Sequence, residues 1–368
     1  MHTGHGNDIY DYPDIRCDFS SNIPYRNASA IIADYLKDRM DNIYNYPDPN
    51  ARKLTSRLAD FHLVSPNNIL ITNGSAEAFY LLAHLFQNPK SVIPYPAFSE
   101  YEDACRAYRH KLSFLPVESL QGSDSSKTTS LQDTVRFKAD MVWFGVPNNP
   151  DGTIVDNETI SRFCSENPQT AFIMDAAYDA LCPRGESVKS LQGKFKNLIT
   201  VHSLTKTFGI PGLRLGYIVA DRQIIDGIRS LRPPWSVNVL ALEAGSFILE
   251  NWDKLLPDAA SLCAESAQLQ QEIAAIPQFE VTASPTNFFL VKMGERTSAE
   301  LKQYLVDNFG LLIRNASNFR GLTLQHFRLS VQEGSWNHQL IEALKLFIQD
   351  GKGVSIRQQN CISNNNQS

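Results

Sequence analysis

The sequence lacks most of the signals that sort a chain quickly. It holds six cysteines, at 17, 105, 164, 182, 263 and 361, and none forms a CxxC pair. That irregular spacing argues against a disulfide-stapled secreted scaffold and fits a reducing, cytoplasmic compartment. No HExxH or comparable ligand cluster suggests a metal, and the nucleotide loops GxGxxG and GxxxxGK[ST] do not occur. Excess positive charge is missing too. With 34 Lys+Arg against 39 Asp+Glu the net charge is −5, the wrong sign for a general binder of nucleic acid or of anionic membranes. Long hydrophobic runs are absent. The most apolar helix candidate, "AEAFYLLAHLF" at 76–86, is far shorter than the ~20 residues a bilayer span needs. The opening "MHTGHGNDIYDYPD" has no apolar core of a signal peptide. No internal repeat is visible.

What is present is an alternation of strands and helices. Short apolar runs read as buried strands at 68–72, 91–95, 111–117, 140–146, 171–175, 198–203 and 215–220. Helical periods fall at 75–86, 98–108, 157–166 and 187–192. The pattern predicts an α/β fold with a mainly parallel sheet flanked by helices, whose ligands sit beyond the carboxyl ends of the strands. From about 237 the texture changes. Residues 238–276 read as mostly helical with a break at Pro257, followed by strands at 279–282, 287–293, 310–315 and 326–331 and helices at 298–308 and 335–350. The expected organisation is an N-terminal arm over 1–24, a large domain over 25–240, a smaller α+β domain over 241–352 and a polar tail over 353–368. The polar stretch 120–133 reads as a surface loop entering a helix.

The unusual polar residues cluster just after the strand candidates. "TNGSAEAFY" (72–80) follows a strand and opens a helix, so Gly74 can turn the backbone while the amides near Ser75 and Ala76 face an anion such as phosphate. Read alone, Ser75 equally serves as a helix cap. "GVPNNPDGT" (145–153) is a rigid loop presenting Asn148 and Asn149, or simply a turn built from Asn, Pro and Gly. Asp175 ends an apolar strand, where a carboxylate needs a cation or donor, and Tyr178 follows; the plainer alternative is a capping aspartate. In "SLTKTFGIPGLRLGY" (203–217), Lys206 stands among Ser203, Thr205 and Thr207, with Arg214 in a glycine-spaced frame. A lysine whose pKa is lowered by nearby positive charge can form a Schiff base with an aldehyde, and an arginine fork can grip a phosphate. Taken in order, these groups describe a pyridoxal 5'-phosphate (PLP) site: a Schiff-base lysine, phosphate donors and an aspartate for the ring nitrogen.

The set "NGSAEA", "PYPAFSEY", "PNNPDGT", "DAAYDAL", "SLTKTFGIPGLRLGY" and "FRLSV" resembles the fold-type I PLP enzymes, in the histidinol-phosphate aminotransferase-like branch. The resemblance covers about residues 5 to 350. It implies that Gly74, Ser75 and Ala76 cradle the cofactor phosphate, together with Ser203, Thr205 and Arg214. It implies that Phe98 stacks on the ring in place of the tyrosine common in the aminotransferases. Asn149 and Tyr178 would bond the ring's 3-oxygen, Asp175 its nitrogen, and Arg328 of "FRLSV" the substrate carboxylate. Tyr46 of "NYPDPN" would reach the phosphate of a neighbouring subunit, which implies a homodimer with shared sites.

Within that branch, "LLIRNASNFRGL" (311–322), "SLTK", the early "HGND" and "DFSSNI" (18–23) are similar to the L-threonine O-3-phosphate decarboxylases of cobalamin synthesis. That likeness implies a substrate phosphate held by Arg314 and His5, although the family's usual "HGG" reads "HGN" here. The expected substrate is therefore a small phosphorylated amino acid. The alternative is an aminotransferase acting on histidinol phosphate or an aromatic amino acid, with Lys206 shuttling the α proton. A non-catalytic PLP-binding regulator would carry a DNA-binding module, for which residues 1–25 offer no room and the acidic balance no support.

Overall fold

The computed structural model describes residues 6–120, 139–183 and 187–363, with side chains placed as far as 350. The strands, in chain order, are β1 (Cys17–Asp18), β2 (Ile69–Thr72), β3 (Lys90–Tyr95), β4 (Lys111–Pro116), β5 (Met141–Gly145), β6 (Ala171–Asp175), β7 (Leu198–Ser203), β8 (Gly216–Val219), β9 (Phe279–Val281), β10 (Phe288–Met293), β11 (Leu311–Leu312), β12 (Arg314–Asn315) and β13 (His326–Ser330). Seven of them form one sheet in the order β2-β8-β7-β6-β5-β3-β4, with β8 antiparallel to both its neighbours and the other pairs parallel.

Every residue of β2, β5, β6, β7 and β8 is buried, as expected of strands covered on both faces. Successive side chains point to opposite faces, so neighbours in sequence enter different cores. Ile69, Ile71, Tyr217 and Val219 pack with residues of the helices Ser29–Lys37, Arg52–His62 and Val239–Glu250. Leu70, Ile173, Val201 and Ile218 pack with residues of Gly74–Leu85, Ser99–Ala107 and Arg222–Leu231. The helix starts carry the expected signals. Asp156, Asp221, Asn238 and Asp258 each accept a hydrogen bond from a first-turn amide, and Thr297 with Glu300 closes a capping box.

A second, antiparallel sheet has the order β12-β13-β10-β9. Its core is built on Phe289, Val291, Phe327 and Leu329, against Leu262, Leu269 and Ile273 of Ala259–Ala274, Leu301 and Leu305 of Ser298–Phe309, and Leu340 and Leu344 of the last helix. The start of the chain joins this side of the molecule, because β1 pairs in parallel with β11.

Several expectations need correction. Residues 187–192, expected as a helix, form only a short 3-10 turn at Val188–Leu191: Val188 and Leu191 pack in the core, but the stretch is too short to repay the nucleation of an α-helix. The helices Ser29–Lys37, Arg52–His62 and Arg222–Leu231 have no counterpart among the expected elements. The last helix runs Gly334–Ser363, entering the stretch expected as a polar tail: its early turns, packed through Leu340, Leu344 and Phe347, supply the costly nucleus, from which further turns are added cheaply. The polar loop expected over 120–133 lies, beyond Leu120, outside the described residues. Among the described residues, no helix is long and apolar enough to cross a membrane.

Candidate active site

The sheet register gathers the site. Thr72 pairs with Gly216, Gly216 with Ser203, and Gly145 with Asp175, so β2, β5, β6 and β7 all finish at one edge. The loops leaving those strands carry Ser75, Asn149, Tyr178 and Lys206. They converge on a cavity of about 370 Å³ whose lining also includes Ala76, Phe98, Asp175, Ser203, Thr205, Arg214, Arg314 and Arg328. Other cavities are as large, but the one between residues 146–157 and Pro285 presents no cationic side chain. Chemistry, not size, singles out this one.

Lys206 sits on a single helical turn, Leu204–Thr207, directly after β7. Removal from solvent, helped by the guanidinium groups of Arg328 and Arg214, draws its amine from 10.5 down to about 8, against the opposing pull of Asp18 and Asp175. Ser203 and Thr205 share a hydroxyl–hydroxyl hydrogen bond of 2.7 Å. Burial pushes the Asp175 carboxyl up to about 6, although donors oppose it. Those donors are the Tyr101 hydroxyl at 2.6 Å and the Ala177 amide at 3.0 Å. Asp175 is not a helix cap: the 3-10 turn that follows, Asp179–Leu181, has Tyr178 at its cap position, and the Ala177 bond only tightens the turn leaving β6, while the carboxylate faces the cavity.

Gly74 and Arg214 are neighbours in space. Gly74 adopts φ +74°, and a Cβ there would lie 2.5 Å from Arg214 Nη2. Behind it, a Cβ on Gly216 would fall 2.7 Å from both the Gly74 carbonyl carbon and the Ser75 amide nitrogen. The two glycines therefore allow strand, turn and guanidinium to close up around the helix start. Ser75 is not the cap of that helix: the cap position is Asn73, without a side-chain bond.

The two asparagines separate in role. Asn148 Nδ2 is spent on the Pro96 carbonyl and on Asp151. Asn149 accepts from Arg328 Nη1 at 2.5 Å, which leaves its amide hydrogens for a ligand. Tyr178 accepts from Asn22 Nδ2 at 3.1 Å, so its own hydroxyl hydrogen remains to be donated. Burial raises that phenol to about 12, so it is protonated at neutral pH. Arg328 also donates to the Ser20 carbonyl at 2.6 Å, and its Nε, like Asn22 Oδ1, is buried without a partner among the described residues. Arg314 bonds the Asn315 carbonyl and, at 2.9 Å, Asn318 Oδ1; burial, reinforced by Arg328, brings its guanidinium down to about 9.

Two of the expected residues stand apart. His5 lies outside the described residues, although Gly6, next to it in sequence, lines the cavity. Tyr46 is 83 % exposed and packs on Trp235 at 5.1 Å in a separate open depression. Sequence reasoning missed Tyr101 and Asn22. Tyr101 lies one helical turn after Phe98, the one signal that it faces the same way.

The chain matches the family described as aminotransferase class I and II over residues 17–344. The crystal structure of L-threonine-O-3-phosphate decarboxylase from Porphyromonas gingivalis is similar at TM-score 0.83 and 34 % identity, over 90 % of this chain and 99 % of that one. A threonine-phosphate decarboxylase from Salmonella typhimurium is 28 % identical over 90 % of this chain and 91 % of its own. A histidinol-phosphate aminotransferase from Caldanaerobacter subterraneus is 30 % identical over 85 % of this chain and 87 % of its own. The chain therefore belongs to the class I and II aminotransferase family.

Proposed function

We propose that this protein is a PLP-dependent L-threonine O-3-phosphate decarboxylase, releasing carbon dioxide and 1-aminopropan-2-yl phosphate. The observation that carries the reading is the pairing of Arg314 with Arg328, directly opposite each other across β12 and β13 and both lining the cavity that contains Lys206. Two buried guanidinium groups side by side call for two anionic groups on one small molecule, and a phosphorylated amino acid offers a carboxylate and a phosphate.

The residues present fit PLP. A lysine with a lowered pKa, a buried carboxylate, a free phenol hydrogen and a glycine-lined helix start beside an arginine make a complete donor set for it. Ser75, Ala76, Ser203, Thr205 and Arg214 would hold its phosphate, with Gly74 leaving room for them. Asp175 would hold the ring nitrogen, Asn149 and Tyr178 the 3-oxygen, and Phe98 one face of the ring. Bound through Lys206, PLP supplies an electron sink for the bond broken at the substrate's α carbon. Exposed Tyr46 suits a place at the interface of a homodimer, reaching the cofactor phosphate of the second subunit.

Arg328 would take the substrate carboxylate and Arg314 the phosphate, with His5 as a second phosphate contact. Gripping both ends fixes the direction of the bond between the carboxylate and the α carbon, and orientation of that bond selects the reaction. Lys206 Nζ, in its ammonium form, would return a proton to the α carbon once carbon dioxide has left; a pKa near 8 keeps that form populated at neutral pH and makes the proton easier to give up than an ordinary lysine's. The same residues could serve transamination, the activity named for one of the relatives above. The deciding experiment follows label release from carboxyl-labelled L-threonine O-3-phosphate with no 2-oxo acid present. Catalytic release supports the decarboxylase. Its absence in protein carrying PLP, with turnover restored by 2-oxoglutarate, overturns it in favour of an aminotransferase.

A further inference from the structure

The Arg314 side chain is placed almost entirely by the segment that follows it. Its guanidinium bonds the Asn315 carbonyl and Asn318 Oδ1, and it lies 5.2 Å from the ring of Phe319, which itself lines the cavity. That segment, 316–322, leaves the second sheet and crosses to the seven-stranded one. Three contacts fasten it there. Arg320 grips the Glu102 carboxylate through Nε and Nη2, at 2.8–3.2 Å. The same guanidinium covers the Phe114 ring at 3.7 Å. Gly321, at φ +82°, comes so close to Tyr95 that a Cβ would lie 2.5 Å from Cδ2 of the ring.

Glu102 is an unusual residue to find at such a junction. It belongs to the helix Ser99–Ala107, whose first residues line the active-site cavity, and its side chain is only 8 % exposed. Buried carboxylates are costly unless fully paired, and this one is paired twice, with Arg106 one turn along its own helix and with Arg320 of the 316–322 segment. Arg106 alone would neutralise it. The Arg320 pair is therefore not needed for charge balance. What it adds is a bidentate, directional tie between the two sheets, a few residues from the group that meets the substrate.

We infer that Glu102 and Arg320 are positioning residues for the substrate phosphate: their ion pair clamps the 316–322 segment so that Asn318 and Phe319 hold Arg314 aimed into the cavity. The inference rests on the reading of Arg314 as the phosphate-binding arginine. It assigns preference for phosphorylated over unphosphorylated amino acids to a contact that touches neither.

The test uses the PLP-loaded protein and titrates its visible spectrum with L-threonine O-3-phosphate and with L-threonine. Alongside the titrations, KM and kcat are measured for the phosphorylated compound. Arg320→Ala leaves Glu102 paired with Arg106, so the fold should survive. The expected result is a KM for the phosphorylated amino acid raised roughly ten- to a hundredfold with kcat within a few-fold, as for a misplaced binding group. Affinity for L-threonine should be unchanged. Arg320→Lys keeps the charge without the fork and should fall between, and it carries the comparison if the alanine variant does not accumulate. Arg106→Ala should keep the preference. A wild-type protein that does not prefer the phosphorylated compound overturns the Arg314 reading itself, before any variant is made. A wild-type preference that survives in Arg320→Ala and Arg320→Lys, or is lost equally in Arg106→Ala, overturns the clamp alone.

Discussion

Arg314 and Arg328 are direct cross-strand partners on the antiparallel pair β12 and β13, and both are buried. Like charges set opposite each other in a sheet oppose folding by roughly 0.2–1 kcal/mol. Here burial lowers both pKa values, and Arg328 lowers that of Arg314 further. The protein thus holds an arrangement that is unfavourable until an anion arrives. Arg314→Met, which keeps the apolar stem and removes the charge, should raise the thermal midpoint of the ligand-free protein by about 1–3 °C. Turnover of the phosphorylated substrate should fall sharply in the same variant. Differential scanning fluorimetry with steady-state kinetics reads both, and a lowered midpoint would show that the repulsion is not felt.

Lys206→Ala should lose the visible absorbance of bound PLP and all turnover, with secondary structure unchanged by circular dichroism. Normal turnover in that variant would remove Lys206 from the chemistry.

The reactive form of Lys206 is the neutral amine. With its pKa drawn down to about 8, the neutral share rises as pH climbs through 8 and levels off above it. The rate at which apoprotein captures PLP should follow that curve, read by stopped-flow absorbance. An ordinary lysine near 10.5 would still be gaining speed well above pH 9.

Tyr101→Phe removes a hydroxyl that donates to Asp175 at 2.6 Å. That bond favours the ionised carboxylate, so its loss should push the Asp175 pKa above its present value of about 6. The acid limb of the pH–rate profile should then move to higher pH, with kcat reduced at neutral pH. An unmoved limb would mean that Asp175 does not govern it.

Gly216→Ala should cost more than Gly74→Ala in fold and less in selectivity of effect. At Gly216 the added carbon meets backbone atoms at 2.7–2.8 Å, which cannot yield, so the yield of folded protein should drop. At Gly74 it meets the end of the Arg214 side chain, which can swing away, so what remains is the backbone strain of a side chain at φ +74°. That variant should fold, yet hold PLP more weakly, as equilibrium dialysis would measure.

Much of the large sheet was legible in the sequence because buried strands leave unbroken apolar runs, and Ala171–Asp175 and Leu198–Ser203 match the expected bounds. The groups at the ends of those runs were legible for the same reason: Asp175 and Lys206 are polar residues standing at or just past the end of an apolar run. Register was not legible. Nothing in "IRNAS" and "FRLSV" says that their arginines stand opposite, since strand pairing depends on contacts between distant segments. Tyr101 escaped notice because a helix aromatic reads as core whether or not its hydroxyl has a task. Asn22 could be placed only once β1 was known to pair with β11.

That last pairing bears on how the protein is made. Arg328 closes on the carbonyl of Ser20, 308 residues earlier in the chain. At ~5–20 residues per second, a ribosome delivers the second half of this contact roughly 15–60 s after the first. Through that interval the early segment waits without its partner strand, however far the large sheet has advanced. One wall of the cavity is thus closed late in synthesis, by the joining of two segments that lie 308 residues apart in the chain.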